Sequence, residues 1–509
     1  MLQIANLEEY KTEDIPKLVE LIQPIFSKRK QLHKKYSKGA DQSHLMYSDD
    51  NNNTVVPLEK FFTDLATGYN AGTPIYRVDV SKDKDKNAII QKYLDKQSKD
   101  DTYAKTMQVL IDFISNYNDD TQENYDLMHD IFEMTACYEY IYENKQNEIV
   151  YSRLDPLQTV ATWDYSIPAN LTGFIRIWNE KDINNNSWTK VQLIDKEKTN
   201  TYSIPNSGNN TIISGAEAKL DSSIPHQWGD VPGFAVEVDY SIFETSEDII
   251  KAYEQLIQNT RNTYQYNDTE AKLKIKGYVP KAEAVIKDAN GDWIRNPERV
   301  AEDQAILESR TFYIQDQGDI DWIMKPTDSA GTTNVLKTYS DLSFQLSGIP
   351  NTSDLAFNSA DLNASAIDRK FYVMNMFTCY VISLMKKGYL RRWELVFNRI
   401  NLKKNSENGT YKFDFRDISI DIPKNLPSND SERADYFMKL DGKLSTQTQL
   451  EALGFDYYAE KERLDREAEE NMQANMERLM SQGEDNESDT EEMEQDGQDI
   501  EELSSEVSE

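Results

Sequence analysis

Residues 333–350, TNVLKTYSDLSFQLSGIP, run into NTSDLAFNSADLNA over 351–364 and then into SAIDRKFYVMNMFTCYVISLMKKGYLRRWELVFNRINLKK over 365–404. Leu336, Tyr339, Leu342 and Leu346 recur at helical spacing, and Gly348 with Pro350 two residues on is a helix stop signal. The following stretch is polar and holds no Lys or Arg. Ser365 then opens a helix of about 38 residues, roughly 57 Å at 1.5 Å per residue. Phe371, Met374, Thr378, Val381 and Met385 form its near-heptad stripe, and Gly388 predicts a kink, because glycine weakens a helix interior. Helix, stop, polar loop and long helix is the pattern around which the rest of the chain is arranged.

The end of that long helix reverses the charge of the protein. The net charge is -33, yet Lys386, Lys387, Arg391, Arg392, Arg399, Lys403 and Lys404 face only Glu394 within the segment. Three readings are open: pairing with acids of the same or a neighbouring subunit, contact with nucleic acid, or an amphipathic membrane helix. The last suits the sequence least, since the first five turns carry few bases on the polar face. The stripe residues read first as core or interface.

A length of 509 residues with 38% apolar and 11% aromatic residues describes a folded body of several domains. No run of about 18 apolar residues occurs, so no membrane-spanning helix is expected. The start, Met1-Leu-Gln-Ile-Ala-Asn-Leu-Glu-Glu, lacks the basic and apolar parts of a signal peptide. Cys137 and Cys379, without metal spacing, fit a reducing compartment. From Ser481 to Glu509 there are thirteen acids and no base, a composition expected to stay disordered, either as a solubilising tail or as one that repels or mimics DNA or docks a basic partner. Without this tail the net charge is still -20, too acidic for an ordinary DNA-binding protein.

Outward from the opening stretch, the periodicity divides the chain. Ile15–Tyr36 is helical with Pro24 expected to kink or divide it, Val55–Tyr69 and Tyr103–Tyr117 are helical, and Glu123–Tyr140 reads as a further helix. From about Ile149 the pattern alternates, with strands over Gly173–Trp178, Lys190–Ile194 and Tyr202–Ile204. Thr245-Ser-Glu-Asp248 resembles a helix start. Asp268–Gly331 reads as a compact β-type insertion, with the Asn290-Gly291 signal of a tight hairpin and a second turn between Phe312–Ile314 and Ile320–Ile323. Tyr411–Phe415 and Ile418–Ile422 alternate as strands, and Ser428–Leu479 is helical with breaks. The fold class is therefore α+β.

Catalytic constellations are scarce. No phosphate-binding glycine loop, HExxH or CxxC is present. The four histidines, His33, His44, His129 and His226, are widely separated and read as surface or packing residues. No cofactor or metal is expected, and nothing pairs a nucleophile with a base.

Four phrases, in order, carry a resemblance: Gly68-Tyr-Asn-Ala-Gly-Thr-Pro-Ile75, Gly229-Asp-Val-Pro-Gly-Phe234, Phe344-Gln-Leu-Ser-Gly-Ile-Pro350, and Leu444-Ser-Thr-Gln-Thr-Gln-Leu-Glu-Ala-Leu453 followed by Glu460-Lys-Glu-Arg-Leu464. In this order and spacing the chain resembles tailed-bacteriophage portal proteins of the SPP1-like siphophage type over roughly residues 20 to 470.

The resemblance implies a portal-protein fold assembled as a ring, most simply of twelve subunits, at one capsid vertex. It implies a mixed wing over 1–244, stem helices over 245–267 and 332–348, and a β-containing clip over 268–331. A tunnel loop over 349–364, a long kinked helix returning to the wing over 365–427, a crown over 428–480 and the acidic tail over 481–509 complete it. Such proteins pass double-stranded DNA without reading its sequence during packaging and ejection, and hydrolyse nothing. The implied partners are the chain itself, the terminase large subunit, a head-tail connector or adaptor, and the major capsid and scaffolding proteins, with no membrane. The implied places are the virion vertex and, during assembly, the host cytoplasm.

Carried onto this chain, Asn351, Ser353, Asp354, Asn358, Ser359, Asp361 and Asn363 are the channel-facing residues, and Asn290, Gly291, Asp292 and Trp293 the partner-docking tip. Lys386, Lys387, Arg391, Arg392 and Arg399 serve subunit contacts. An acid-bearing channel loop is physically sensible, because each neutralised phosphate releases counterions and a basic loop would hold DNA rather than let it slide. The competing expectation is an acidic scaffold or interaction protein without a channel.

Overall fold

The computed structural model describes residues 2–4, 6–38, 56–78, 101–181, 183, 186–206, 217–269, 272–276, 282–289, 291–309, 319–323, 329–351, 364–404, 412–425 and 460–474, with 439, 443, 445, 446, 449, 450 and 457. The chain divides into two compact units. The first comprises Met1–Asp79, Leu110–Asp361 and Ile367–Asn425, the second Val80–Val109, Leu362–Ala366 and Leu426–Glu509.

The first unit is built on a six-stranded sheet. Its strands are β1 (Leu2–Gln3), β5 (Thr159–Trp163), β6 (Leu171–Lys181), β7 (Ser187–Ile194), β8 (Lys198–Pro205) and β9 (Lys219–Pro225), hydrogen-bonded in that order. β1 joins β5 in parallel, and the remaining pairs are antiparallel. Side chains alternate across a sheet with period two. Val160, Ile175, Ile177, Val191, Leu193, Tyr202 and Ile204 therefore share one face and are buried under helix α1 (Ile15–Lys38). That helix supplies Ile15, Leu18, Val19, Ile22 and Phe26, spaced as one stripe of a 3.6-residue period. The helix runs through Pro24, so the proline that was expected to kink or divide it does not divide it.

The opposite parity, Ala161, Phe174 and Ile194, joins Ala136, Tyr138 and Val231 in a second core cluster. This cluster abuts a three-stranded sheet of β10 (Gly233–Glu237), β3 (Ala136–Glu143) and β4 (Ile149–Leu154). The six-stranded sheet is thus covered on both faces over β5, β6 and β7. Arg29 of α1 is buried, donating from Nη1 to Pro156 O at 3.0 Å and Thr159 O at 2.7 Å, and from Nη2 to Glu237 Oε1 at 3.2 Å.

Helices α2 (Leu58–Asn70), α3 (Asp101–Tyr117) and α4 (Asp120–Met134) precede β3. The helix expected over Glu123–Tyr140 ends earlier, at Thr135, whose φ of 60° is left-handed. The aromatic run that follows, Tyr138, Tyr140 and Tyr142, takes strand geometry because it pairs with β4 on one side, and its first two members pair with β10 on the other. Helix α5 (Glu247–Thr269) packs along α7 (Ser329–Ser347). Thr245 Oγ1 donates to Leu346 O at 3.0 Å, so the start of one lies at the end of the other and the pair is antiparallel.

Between these helices, β11 (Lys272–Lys276) pairs with β14 (Asp319–Ile323), and β12 (Val285–Lys287) with β13 (Trp293–Arg295). The expected hairpin is present, with a five-residue connection from Asp288 to Asp292. The region is not purely of β type, because α6 (Pro297–Ser309) follows. Asn296 Oδ1 accepts from Glu298 N at 3.0 Å and proline takes the first helical position, a conventional start. The second expected turn, beyond Phe312, lies outside the described residues.

Helix α8 (Ala364–Lys404) is continuous through Gly388. At Gly388 the helix meets a close neighbour: a Cβ there would stand 2.6 Å from two ring carbons of Phe234. After it, β15 (Ile418–Asp421) pairs with β2 (Ile75–Val78). The strand expected over Tyr411–Phe415 is not formed at its described end. The Asn401 amide instead engages Phe413, donating to its O at 2.8 Å and accepting from its N at 3.0 Å, and Phe415–Asp417 makes a 3-10 turn.

In the second unit residues 460–474 are helical, as expected there, and Lys105 Nζ lies 3.7 Å from Glu462 Oε2. The acidic tail is outside the described residues. Among the described residues no helix is long and apolar enough to cross a membrane.

Candidate functional site at the end of helix α7 and along α8

Helix α7 ends on a glycine for a steric reason. Gly348 has φ +70°, and a Cβ there would stand 2.7 Å from Phe377 Cδ2 of α8. Only a residue without a side chain satisfies both demands. Gly348 N then donates to Gln345 O and Ile349 N to Phe344 O, at 3.3 and 3.2 Å, which closes the helix end. Ile349 is buried.

Phe344, one turn earlier, is held edge-on by Phe62 at 5.3 Å and by Phe61 at 6.3 Å. Phe62 in turn meets Phe243, and Phe243 meets Tyr36. An aromatic chain from α1 and α2 thereby fixes the end of α7. Asn351 Nδ2 donates to Asp341 Oδ1 at 3.5 Å, turning back onto α7. Ser353, Asp354, Asn358, Ser359, Asp361 and Asn363 lie outside the described residues.

The basic half of α8 is held by acids from elements far apart in sequence. Arg392 is 1% exposed. It donates from Nε to Glu139 Oε1 at 2.8 Å, from Nη2 to Glu139 Oε2, and from Nη1 to Asp120 Oδ1 and Tyr76 OH, both at 3.0 Å. Its guanidinium also lies 4.1 Å from the Tyr151 ring centroid and 4.5 Å from that of Tyr389. Burial disfavours the cation, but Glu139, Tyr76 and Asp120 outweigh it and hold the guanidinium pKa well above its ordinary value. A side chain so enclosed has its partners in its own subunit, which corrects the expectation of an inter-subunit contact for Arg392. A surface role fails here because the charge is desolvated and geometrically saturated.

Its neighbours are also paired within the chain but keep exposure. Arg391 contacts Asp230 Oδ2 at 2.6 Å and Glu394 Oε2 at 2.8 Å, and Lys386 contacts Asp421 Oδ1 at 3.1 Å. Arg399 holds Glu143 bidentately at 2.7 and 3.0 Å, and Lys403 reaches the same carboxylate at 2.9 Å. The hydrogen bond from Arg399 comes first in lowering Glu143 to a pKa of about 2, with Lys403 adding to it. Lys387 is exposed. Half-buried Glu123, near this cluster, is pushed up to about 8 chiefly by burial and then by the Glu139 charge.

The hairpin residues expected to dock a partner form a shaped tip. Gly291 has φ +87°, its N donates to Asp288 O at 3.1 Å, and Asp292 N donates to Asp288 Oδ1 at 3.0 Å. Trp293 is 68% exposed, with the Lys287 ammonium 5.1 Å from its ring centroid. Asn290 is outside the described residues.

What these groups provide is fixation: a helix pair closed by a glycine, and a long helix riveted by buried and half-buried ion pairs. The chain belongs to the family described as "Phage portal protein, SPP1 Gp6-like", which matches residues 9–474. It is similar to a chain in the "Neck of native GTA particle computed with C12 symmetry", at 11% identity and a TM-score of 0.36, covering 84% of this chain and 93% of that one. It is likewise similar to a chain in the "Neck of empty GTA particle computed with C6 symmetry", at 11% identity and a TM-score of 0.38, covering 84% and 94%. No curated protein matches the chain.

The sequence reading placed the loop and the long helix together but missed Phe377, Glu139 and the aromatic chain through Phe62 and Phe243. Only the glycine stop at Gly348 was a local signal for any of these contacts.

Proposed function

We propose that this chain forms a homo-oligomeric ring with an axial channel at one vertex of a phage capsid, through which double-stranded DNA passes during packaging and ejection. The single observation that carries the reading is family membership over residues 9–474. In this reading the protein is a non-catalytic virion component that needs no cofactor.

The structural correlates are consistent with it. Helices α5 and α7 serve as the stem, the hairpin of β12 and β13 with Trp293 at its tip as the dock for the terminase large subunit and later the connector, and 349–364 as the loop facing DNA. Lys387 is exposed, and Lys386, Arg391 and Arg399, each paired within the chain, keep partial exposure; these four serve subunit contacts in this reading, and the capsid and scaffolding proteins would surround the ring. An acidic loop suits passage, because it makes no counterion-releasing grip on phosphate.

Electron microscopy of the purified protein, alone and with its scaffolding protein, tests this. Rings with a central hole are expected; compact particles without a hole under both conditions would overturn it in favour of an acidic scaffold.

A further inference from the structure

Helix α8 carries an apolar stripe that its own subunit leaves open. Tyr372, Met376 and Tyr380 recur every four residues and are 62%, 59% and 60% exposed, with exposed Val373 beside them. Positions three and four apart on a helix share a face, so Arg369, one turn before, and Lys387, two turns after, bracket the same stripe. Both cations are exposed, and neither has a carboxylate partner among the described residues. No acid occurs anywhere between Arg369 and Trp393. An exposed apolar patch with a charged rim marks an interaction site. In a chain of net charge -33, a rim of unpaired cations makes the fitting partner both apolar and acidic.

A surface of that kind is present on α3 of the same chain. Phe113 is 64% and Tyr117 47% exposed, their rings stacked at 6.5 Å and 15°. Tyr117 OH donates to Glu148 Oε2 at 2.6 Å and accepts from Asn144 Nδ2 at 3.1 Å, which fixes the pair against the turn between β3 and β4. The same Tyr117 hydroxyl, and then Asn144, hold the Glu148 carboxyl below its ordinary pKa, so it stays ionised. Exposed Asp112 and Asp119 flank the two rings and, with Glu148, outweigh Lys145 of the turn.

The two surfaces lie apart on one subunit. The turn that anchors Tyr117 follows Glu143, which Arg399 grips, and from Tyr380 to Arg399 the helix runs about 28 Å. We propose, resting on the ring reading above, that the α8 stripe of one subunit docks on the α3 patch of the next copy of this chain. Stacked and striped aromatics supply the apolar centre, where such side chains bury about 150–250 Å² each and act as anchors. Arg369 and Lys387 meet acids at the rim. A contact between two different faces of identical chains runs head to tail, and it closes into a ring when its rotation divides a full turn.

Electron microscopy and analytical ultracentrifugation of the full-length chain, alone and with its scaffolding protein, test the contact. Met376→Glu with Tyr380→Glu breaks the first face and Phe113→Glu the second, all at exposed helical positions that glutamate suits. Circular dichroism establishes that both variants are folded. Each variant by itself should stay monomeric where the parent forms rings. An equimolar mixture at high concentration should form a one-to-one dimer and stop there, since each variant lends the face that the other lacks. Rings of either variant alone, or dimers of Phe113→Glu alone, would overturn the contact and leave the ring reading in place, and a mixture that stays monomeric would overturn it too. Open filaments of the parent that these substitutions dissolve would uphold the contact and remove the ring. A parent monomeric under both conditions would remove both.

Discussion

The Arg392 guanidinium and the Glu139 carboxylate lie side by side in the interior, Nε to Oε1 at 2.8 Å, although 253 residues separate them in the chain. Glu139 is in the middle of β3 and has no exposure, so neither charge can turn to water if the other is removed. Arg392→Ala should therefore destabilise the folded unit by about 3–5 kcal/mol, the cost of leaving one buried charge unpaired. Urea unfolding measures it. Arg392→Met combined with Glu139→Met should cost less than the sum of the two single changes, and additivity would show that the pair is not coupled.

Gly348→Ala meets two obstacles, the left-handed backbone and the Phe377 ring. The backbone part alone costs about 1–2 kcal/mol. Adding Phe377→Ala should recover only the steric part, so the double variant should remain less stable than Phe377→Ala alone. Equal melting temperatures for those two proteins would show that φ at Gly348 is not a constraint.

Two glutamates give opposite pH windows. Glu143, held at about 2 against an ordinary 4.5, releases its proton more readily folded than unfolded. Its contribution is present above pH 4.5 and is lost as pH falls from there through about 2. Glu123, raised to about 8, binds a proton more tightly when folded. Stability is therefore withdrawn as pH rises from 4.5 to about 8. Thermal melts should show Glu143→Gln less sensitive than the parent below pH 4.5. They should show Glu123→Gln increasingly more stable than the parent toward pH 8.

How much of this was legible beforehand differs by element. The long helix could be read because its apolar stripe persists from Phe371 to Met385 with no proline. The closeness of Gly388 to Phe234 was not legible, since only tertiary structure brings the two together. The strand from Ala136 was hidden by a preceding helical rhythm, and its stop is a left-handed Thr135 rather than a glycine or proline. Helix α6 did carry its local signals, Asn296, Pro297 and Glu298, but the hairpin before it dominated the reading. Arg392 looked like a surface cation because a run of charge says nothing about which member turns inward.

For the loop, the expectation concerns DNA. Replacing Asp354 and Asp361 together by Lys would add basic groups to a proposed channel segment, 349–364, that has none, giving phosphate a grip that slows sliding. Packaging rate in an in vitro assay should fall, and fall more at low salt, where the attraction is less screened. An unchanged rate at every salt concentration would remove these residues from the DNA path.

Helix α8 also has a mechanical consequence. From Phe377, against Gly348, to Arg399, held by Glu143, it runs 22 residues, about 33 Å. Along that span it is clamped at Phe377, wedged at Gly388 and bolted at Arg392. Such a strut resists tilting, because displacing one end relative to β3 must either bend the rod or tear a guanidinium from its carboxylate. A push delivered at the loop root is therefore borne by the whole sheet-bearing unit rather than absorbed locally.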